Sequence, residues 1–125
     1  MTNLILTLAF LFPMSVQASE EECLAKIMFA ESRGESIEGA VAVGQATVNR
    51  AKRTGKTICK LTGVARLTPP RNLKNHYTVL AKSVMEGKES IVRNSDSWNT
   101  GTKPKRAGEI VRQIGGHVFY VMLDM

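Results

Sequence analysis

Three segments of the chain repeat apolar residues every three or four positions, which is the pattern of a helix with one buried face. The apolar faces are Leu24, Ile27 and Met28 in the first segment, Ile37, Val41, Gly44 and Val48 in the second, and Leu73, Tyr77, Leu80 and Val84 in the third. The pattern therefore predicts three amphipathic helices.

Capping signals mark the two ends of the first helix. Ser19 and Glu22 form a capping box, so we expect the helix to begin near Glu20. We expect Gly34 to end it, because glycine readily adopts the left-handed conformation found just past helix ends.

Similar signals bound the other two helices. Ser36 is expected to cap the second helix, which runs to Gly55, and Gly87 follows the third. Pro69 and Pro70 keep the connection between these helices out of helical conformation. Small residues are frequent in the second helix between positions 39 and 46, so another helix can approach it closely.

The last third of the chain has a different pattern. The stretch "NSDSWNTGTKPKRAG" is polar and rich in turn-forming residues, which predicts a loop that carries the only tryptophan. "GGHVFYVML" follows two glycines with branched and aromatic residues and predicts a strand or a short extended segment. The predicted fold class is mainly α, with a minor extended element (α+β).

Residues 1–18 contain no charged side chain and include an apolar run from Leu4 to Val16. This run is shorter than the roughly 20 residues of a membrane-spanning helix. Val16 and Ala18 fit the small-residue pattern of a signal-peptidase site. We therefore predict a signal peptide of residues 1–18, with an uncleaved membrane anchor as the alternative. Residues 19–125 are then one domain, exported to the periplasm or secreted.

Charge and cysteine content narrow the class of protein further. The net charge of +6 indicates an anionic partner, and for an exported protein the cell envelope fits better than nucleic acid. Cys23 and Cys59 are the only cysteines, and two cysteines in an oxidising compartment predict a disulfide rather than free thiols. With only His76 and His117 available and no close ligand spacing, we expect no metal site.

Glu31 lies at the end of the first predicted helix, in partly apolar surroundings. Such surroundings favour the protonated form of a carboxyl group, which a general acid needs. A surface carboxylate is the alternative, and pairing with Arg33 would oppose the catalytic role. Glu35 and Glu38 are interpreted as residues of the first turn of the second helix, where negative charge is stabilised.

Two stretches of the chain resemble a known family. "CLAKIMFAESRGESIEGAVAVGQATVNRAKR", with "TIC" soon after it, resembles the start of the cell-wall hydrolase family that includes the spore cortex-lytic enzymes. "DSW" followed by "IGGHVFY" is similar to the end of the same domain. The resemblance begins at Cys23 and extends over nearly all of the predicted exported domain.

The resemblance implies a compact lysozyme-like fold that cleaves the MurNAc–GlcNAc glycan strand of peptidoglycan, with Glu31 as the catalytic residue. We favour a lytic transglycosylase, which needs one acid because the muramyl 6-hydroxyl attacks in place of water. A hydrolytic muramidase or glucosaminidase needs a second carboxylate, for which Asp96 is the candidate because it is the only acid in the tryptophan loop. A basic envelope-binding protein without activity is the third hypothesis.

Residues around the tryptophan are the candidates for substrate binding. Trp98 is predicted to stack on a sugar face, with packing in the core as the alternative. Ser97, Asn99 and Thr100 are predicted to bond the hydroxyl and N-acetyl groups of the sugar. Tyr120 is assigned to the groove and Phe119 to the opposite face, because neighbouring residues of a strand point to opposite sides.

The expected partners follow from this hypothesis. We expect a monomer that binds peptidoglycan glycan strands, takes no cofactor and contacts a membrane only if residues 1–18 are retained. His117 is interpreted as a structural residue at a strand end and is left out of catalysis. A phage lysis protein (an endolysin) is one biological setting that such a small exported enzyme fits.

Overall fold

The computed structural model describes residues 11–87 and 90–123, in which three α-helices precede a three-stranded sheet. The helices are α1 (Leu11–Ser32), α2 (Ile37–Thr54), a short 3-10 helix (Ile58–Lys60) and α3 (Arg71–Glu86). The strands are β1 (Ser97–Thr100), β2 (Gly108–Ile114) and β3 (His117–Met122). The predicted class, mainly helical with a small extended element, is confirmed.

Helix α1 begins earlier than predicted. It runs without a break from Leu11, so Ser19 lies inside the helix and does not cap its start. Residues 1–10 of the predicted signal peptide lie outside the described residues. In residues 11–87 and 90–123, no helix combines the length and the apolar character needed to cross a membrane.

The other helix ends agree with the prediction. Gly34, Gly55 and Gly87 have φ angles of 82°, 67° and 69°, which are left-handed. Ser36 caps α2, and its side-chain oxygen accepts the N–H of Gly39 at 3.2 Å. Each turn therefore has the residue that its backbone conformation requires.

The helices pack through small residues on α2. A Cβ atom at Gly44 would lie 2.8 Å from Sδ of Met28 and 3.1 Å from Cγ2 of Val84. The first distance is shorter than real Cβ contacts and the second is tighter than most of them, so the absence of a side chain at Gly44 lets α1 and α3 contact α2 at one place. Ile37, at the first position of α2, is 61% exposed and does not join the apolar face to which it was assigned.

Cys23 and Cys59 form the predicted disulfide, with their Cα atoms 5.3 Å apart. Glu20 reinforces this link, because its carboxylate accepts the N–H groups of Ile58 at 2.9 Å and Cys59 at 3.1 Å. The 3-10 helix is therefore tied to α1 by a covalent bond and by two hydrogen bonds.

The sheet is antiparallel, with the strand order β1–β3–β2. β3 was predicted, whereas β1 lies within the stretch interpreted as a loop and β2 was not predicted. Phe119 and Tyr120 lie on opposite faces of β3 as expected, and both are buried. Phe119 belongs to the helical core, while Tyr120 forms a second buried cluster with Val118 and Met122.

Candidate active site

An open cleft of about 350 Å³ lies where the end of α1 and the C-terminal part of α2 approach β1 and β3. It is lined by six of the residues predicted for the site, namely Glu31, Ser97, Trp98, Asn99, Thr100 and Tyr120. Glu31 and Tyr120 lie far in the chain from the other four, which are consecutive, and the fold brings all six to one surface.

Glu31 lies in the last turn of α1 and is half-buried. Its Oε2 accepts the N–H of Ala65, in the loop before α3, at 3.1 Å. The adjacent Ser32 is buried and donates its hydroxyl to the carbonyl of Met28, which anchors the last turn of the helix. Among the cleft-lining residues in the described part of the chain, Glu31 is the only carboxylate. The site thus offers one acid, held by a backbone contact.

Arg33 has an aromatic partner on the preceding turn of the chain. Its guanidinium carbon lies 5.6 Å from the centre of the Phe29 ring, within cation–π range. Phe29 in turn packs edge-on against Tyr77 of α3, with the ring centres 5.3 Å apart. This arrangement does not support the alternative in which Arg33 neutralises Glu31.

Asp96, the residue predicted as a possible second carboxylate, does not line the cleft. The residue is 2% exposed and forms an ion pair with Arg53 of α2. Its Oδ1 also accepts the N–H of Met122 at 3.0 Å and the hydroxyl of Ser97 at 3.1 Å. Both carboxylate oxygens are therefore engaged in holding the sheet to α2.

Ser97 and Asn99 line the cleft, but their polar groups serve the protein itself. Ser97 is buried and donates to Asp96. The side-chain nitrogen of Asn99 donates to the carbonyls of Thr100 at 3.0 Å and Lys103 at 2.9 Å, and its oxygen accepts the N–H of Lys105 at 2.8 Å. Asn99 thus shapes the loop that forms one wall of the cleft, and its contacts do not support direct sugar binding.

Trp98 has one side in the protein and one side in the cleft. It is half-buried, packs against the helical core and also lines the cleft. Both interpretations made from the sequence therefore describe part of its surroundings. Tyr120 is almost fully buried, and its ring lies over Gly108 of β2, where a Cβ would collide with it.

Four residues of the cleft with basic side chains were missed from the sequence. They are Arg50, Lys105, Arg106 and His117. Lys105 and Arg106 lie in the connection that follows β1 and its Trp98, and this proximity was the available signal. Arg50 and His117 gave no such signal, because a basic residue near a helix end and a histidine at a strand end have common structural explanations. No group of three His, Cys, Asp or Glu residues in the described part of the chain is arranged to hold a metal ion.

Comparison with solved structures identifies the same architecture in two catalytic domains. The chain is similar to the catalytic domain of the germination-specific lytic transglycosylase SleB from Bacillus anthracis, with a TM-score of 0.62 and 19% identity, over 81% of this chain and 93% of that domain. It is similar to the catalytic domain of the Bacillus cereus SleB protein, with a TM-score of 0.60 and 20% identity, over 81% and 88% of the two chains. No protein-family model and no curated protein sequence matches the chain. The likeness shows that this chain has the lysozyme-like fold of those domains.

Proposed function

We propose that this chain is an exported enzyme that degrades peptidoglycan by cleaving the MurNAc–GlcNAc glycan strand. The observation that carries the proposal is the position of Glu31, which among the residues that the structure describes is the one carboxylate in the wall of an open cleft. The fold shared with two SleB catalytic domains supports it, since one of them is described as a lytic transglycosylase. The disulfide supports export, because disulfides persist in oxidising compartments.

In the proposed reaction, Glu31 donates its proton to the glycosidic oxygen as the bond from that oxygen to C1 of muramic acid breaks. The muramyl 6-hydroxyl then attacks C1, and the ionised Glu31 accepts the hydroxyl proton, which restores the acid. The product is a 1,6-anhydromuramyl end, and no water is consumed. General acid–base assistance of this kind contributes roughly 10²–10⁴-fold to a rate.

The remaining cleft residues suit a glycan that carries acidic peptides. Trp98 offers an aromatic face for stacking on a sugar ring. Arg50, Lys105 and Arg106 give the cleft a positive field, which attracts the carboxylates of the peptide side chains.

The hydrolytic alternative requires a second carboxylate about 5 Å or 6.5–9.5 Å from the first. Asp96 is the residue predicted for this role, and its ion pair outside the cleft argues against it. In our proposal, residues 1–18 direct export and residues 19–125 form the catalytic domain of a monomer. A phage lysis protein remains a setting that fits these properties.

Mass spectrometry of purified sacculi digested with the protein tests the proposal. We expect muropeptides with 1,6-anhydromuramyl ends. Reducing ends would indicate a hydrolase, and an undigested glycan strand would indicate a binding protein without activity.

A further inference from the structure

Glu35 connects the turn after α1 to the turn between β2 and β3. Its Oε1 accepts the N–H of Gly116 at 2.9 Å, across 81 residues of chain. A Cβ atom at Gly115 would collide with the same oxygen, so a side chain there would displace the Glu35 carboxylate from the strand turn. The interpretation of Glu35 as a helix-capping residue is therefore wrong, because its carboxylate contacts the sheet.

His117 follows this turn and lies between Glu35 and the cleft. Its Nδ1 is 3.7 Å from Oε1 of Glu35, and the two side chains are only 11% and 19% exposed. Nδ1 is buried and makes no hydrogen bond within the described residues, a state that buried polar atoms rarely keep. A movement of less than about 1 Å brings the two atoms to hydrogen-bond distance. The same imidazole lines the cleft that contains Glu31.

We infer that Glu35 is a positioning residue that holds neutral His117 with its proton on Nδ1, which leaves Nε2 as a hydrogen-bond acceptor in the cleft. A carboxylate accepts from the protonated nitrogen of a neutral imidazole, and the other nitrogen then carries the lone pair. The ligand of Nε2 is a hydroxyl or an amide N–H of the glycan. The identity of this ligand rests on the proposed function. The pairing of Glu35 and His117 does not depend on it.

Nuclear magnetic resonance of the ¹⁵N-labelled full chain tests the pairing without any assay of activity. At a pH where histidines are neutral, long-range ¹H–¹⁵N correlations should show His117 mainly as the Nδ1–H tautomer. His76 is exposed and serves as the internal reference for the ordinary preference for Nε2–H. Glu35→Gln should move His117 toward Nε2–H, whereas Glu38→Gln, which removes a carboxylate outside the cleft, should not. An Nε2–H tautomer at His117 in the unchanged protein would overturn the inference.

Two experiments test whether Nε2 of His117 binds the glycan. They are kinetics on solubilised glycan strands and titration of the protein with N-acetylglucosamine oligomers. We expect Glu35→Gln to raise KM about tenfold, equivalent to the loss of one hydrogen bond, with a smaller effect on kcat. The KM and kcat of Glu38→Gln should stay within about twofold of those of the unchanged protein, since an exposed carboxylate outside the cleft contributes little. The oligomers should shift the Nε2 resonance of His117.

The proposed function and the pairing of Glu35 with His117 can be disproved separately. If the unchanged protein cleaves glycan and Glu35→Gln behaves as Glu38→Gln does, the inference is wrong and the proposed function stands. If the unchanged protein neither cleaves nor binds glycan, the proposed function and the ligand of Nε2 are both wrong. The tautomer of His117 still decides the Glu35 pairing in that case.

Discussion

Replacing Asp96 with asparagine is expected to lower stability and to leave glycan cleavage nearly intact. The Asp96 carboxylate accepts hydrogen bonds from Met122 and Ser97 on one oxygen and from Arg53 on the other. Asparagine fills the same space but brings two N–H donors to a place surrounded by donors. Whichever way the amide is turned, its NH₂ group faces the guanidinium of Arg53 or the N–H of Met122.

The size of the effect follows from the burial of the pair. Removing one partner of a buried ion pair costs about 3–5 kcal/mol. The Arg53 side chain is 28% exposed, so water partly solvates the guanidinium left behind and we expect about 2–3 kcal/mol. In a domain of this size the melting temperature should fall by roughly 6–15 °C.

Two measurements check this prediction, thermal unfolding by circular dichroism and clearing of sacculi well below the melting temperature. Cleavage by Asp96→Asn should stay within about threefold of the unchanged protein, because acid catalysis is worth far more than this. Arg53→Gln is the matched control and should also destabilise, since it leaves Asp96 buried without its cation. A melting temperature that does not change, combined with lost cleavage, would refute the reasoning and make Asp96 the second carboxylate of a hydrolase.

Three further predictions concern packing, the disulfide and the tryptophan. Gly44→Val should cost about 1–3 kcal/mol in urea unfolding, because the added atoms collide with Met28 and Val84; a change below about 0.5 kcal/mol would show that the contact is loose. Reduction of the disulfide should cost roughly 3–4 kcal/mol, and titration of the unfolded, unreduced protein should find no thiol, so two reactive thiols would contradict the structure. Trp98→Ala should weaken binding of N-acetylglucosamine oligomers about fivefold, or about 1 kcal/mol, and also lower stability; unchanged affinity would mean that the ring serves the core alone.

The helical part of the fold could be predicted because its signals are local. The apolar spacing of each helix and the glycine after each one lie within a few residues of each other, so a single pass along the chain finds them. The start of α1 was misplaced because a capping box also occurs inside helices that other residues extend. β1 was missed because a strand of four residues in which Trp98 is the one large apolar side chain has no detectable alternation.

The site could be predicted only where one residue carries its own signal. Glu31 and Trp98 have distinctive neighbours in the sequence, and the structure brings both to the same cleft. The ion pair of Asp96 could not be predicted, because its partner Arg53 lies 43 residues away and nothing local indicates the pair. The contact of Glu35 with the β2–β3 turn could not be predicted for the same reason, because it joins residues that are 81 positions apart in the chain.

Clearing of purified sacculi by Glu31→Gln tests the central claim most directly. The substitution keeps the shape of the side chain and removes its proton, so a folded variant should lose roughly 10²–10⁴-fold in rate, or about 3–5 kcal/mol of barrier stabilisation. Glu22→Gln, an exposed carboxylate on the same helix, is the control and should cleave at the normal rate. A folded Glu31→Gln protein that clears sacculi as fast as the unchanged protein would contradict the account.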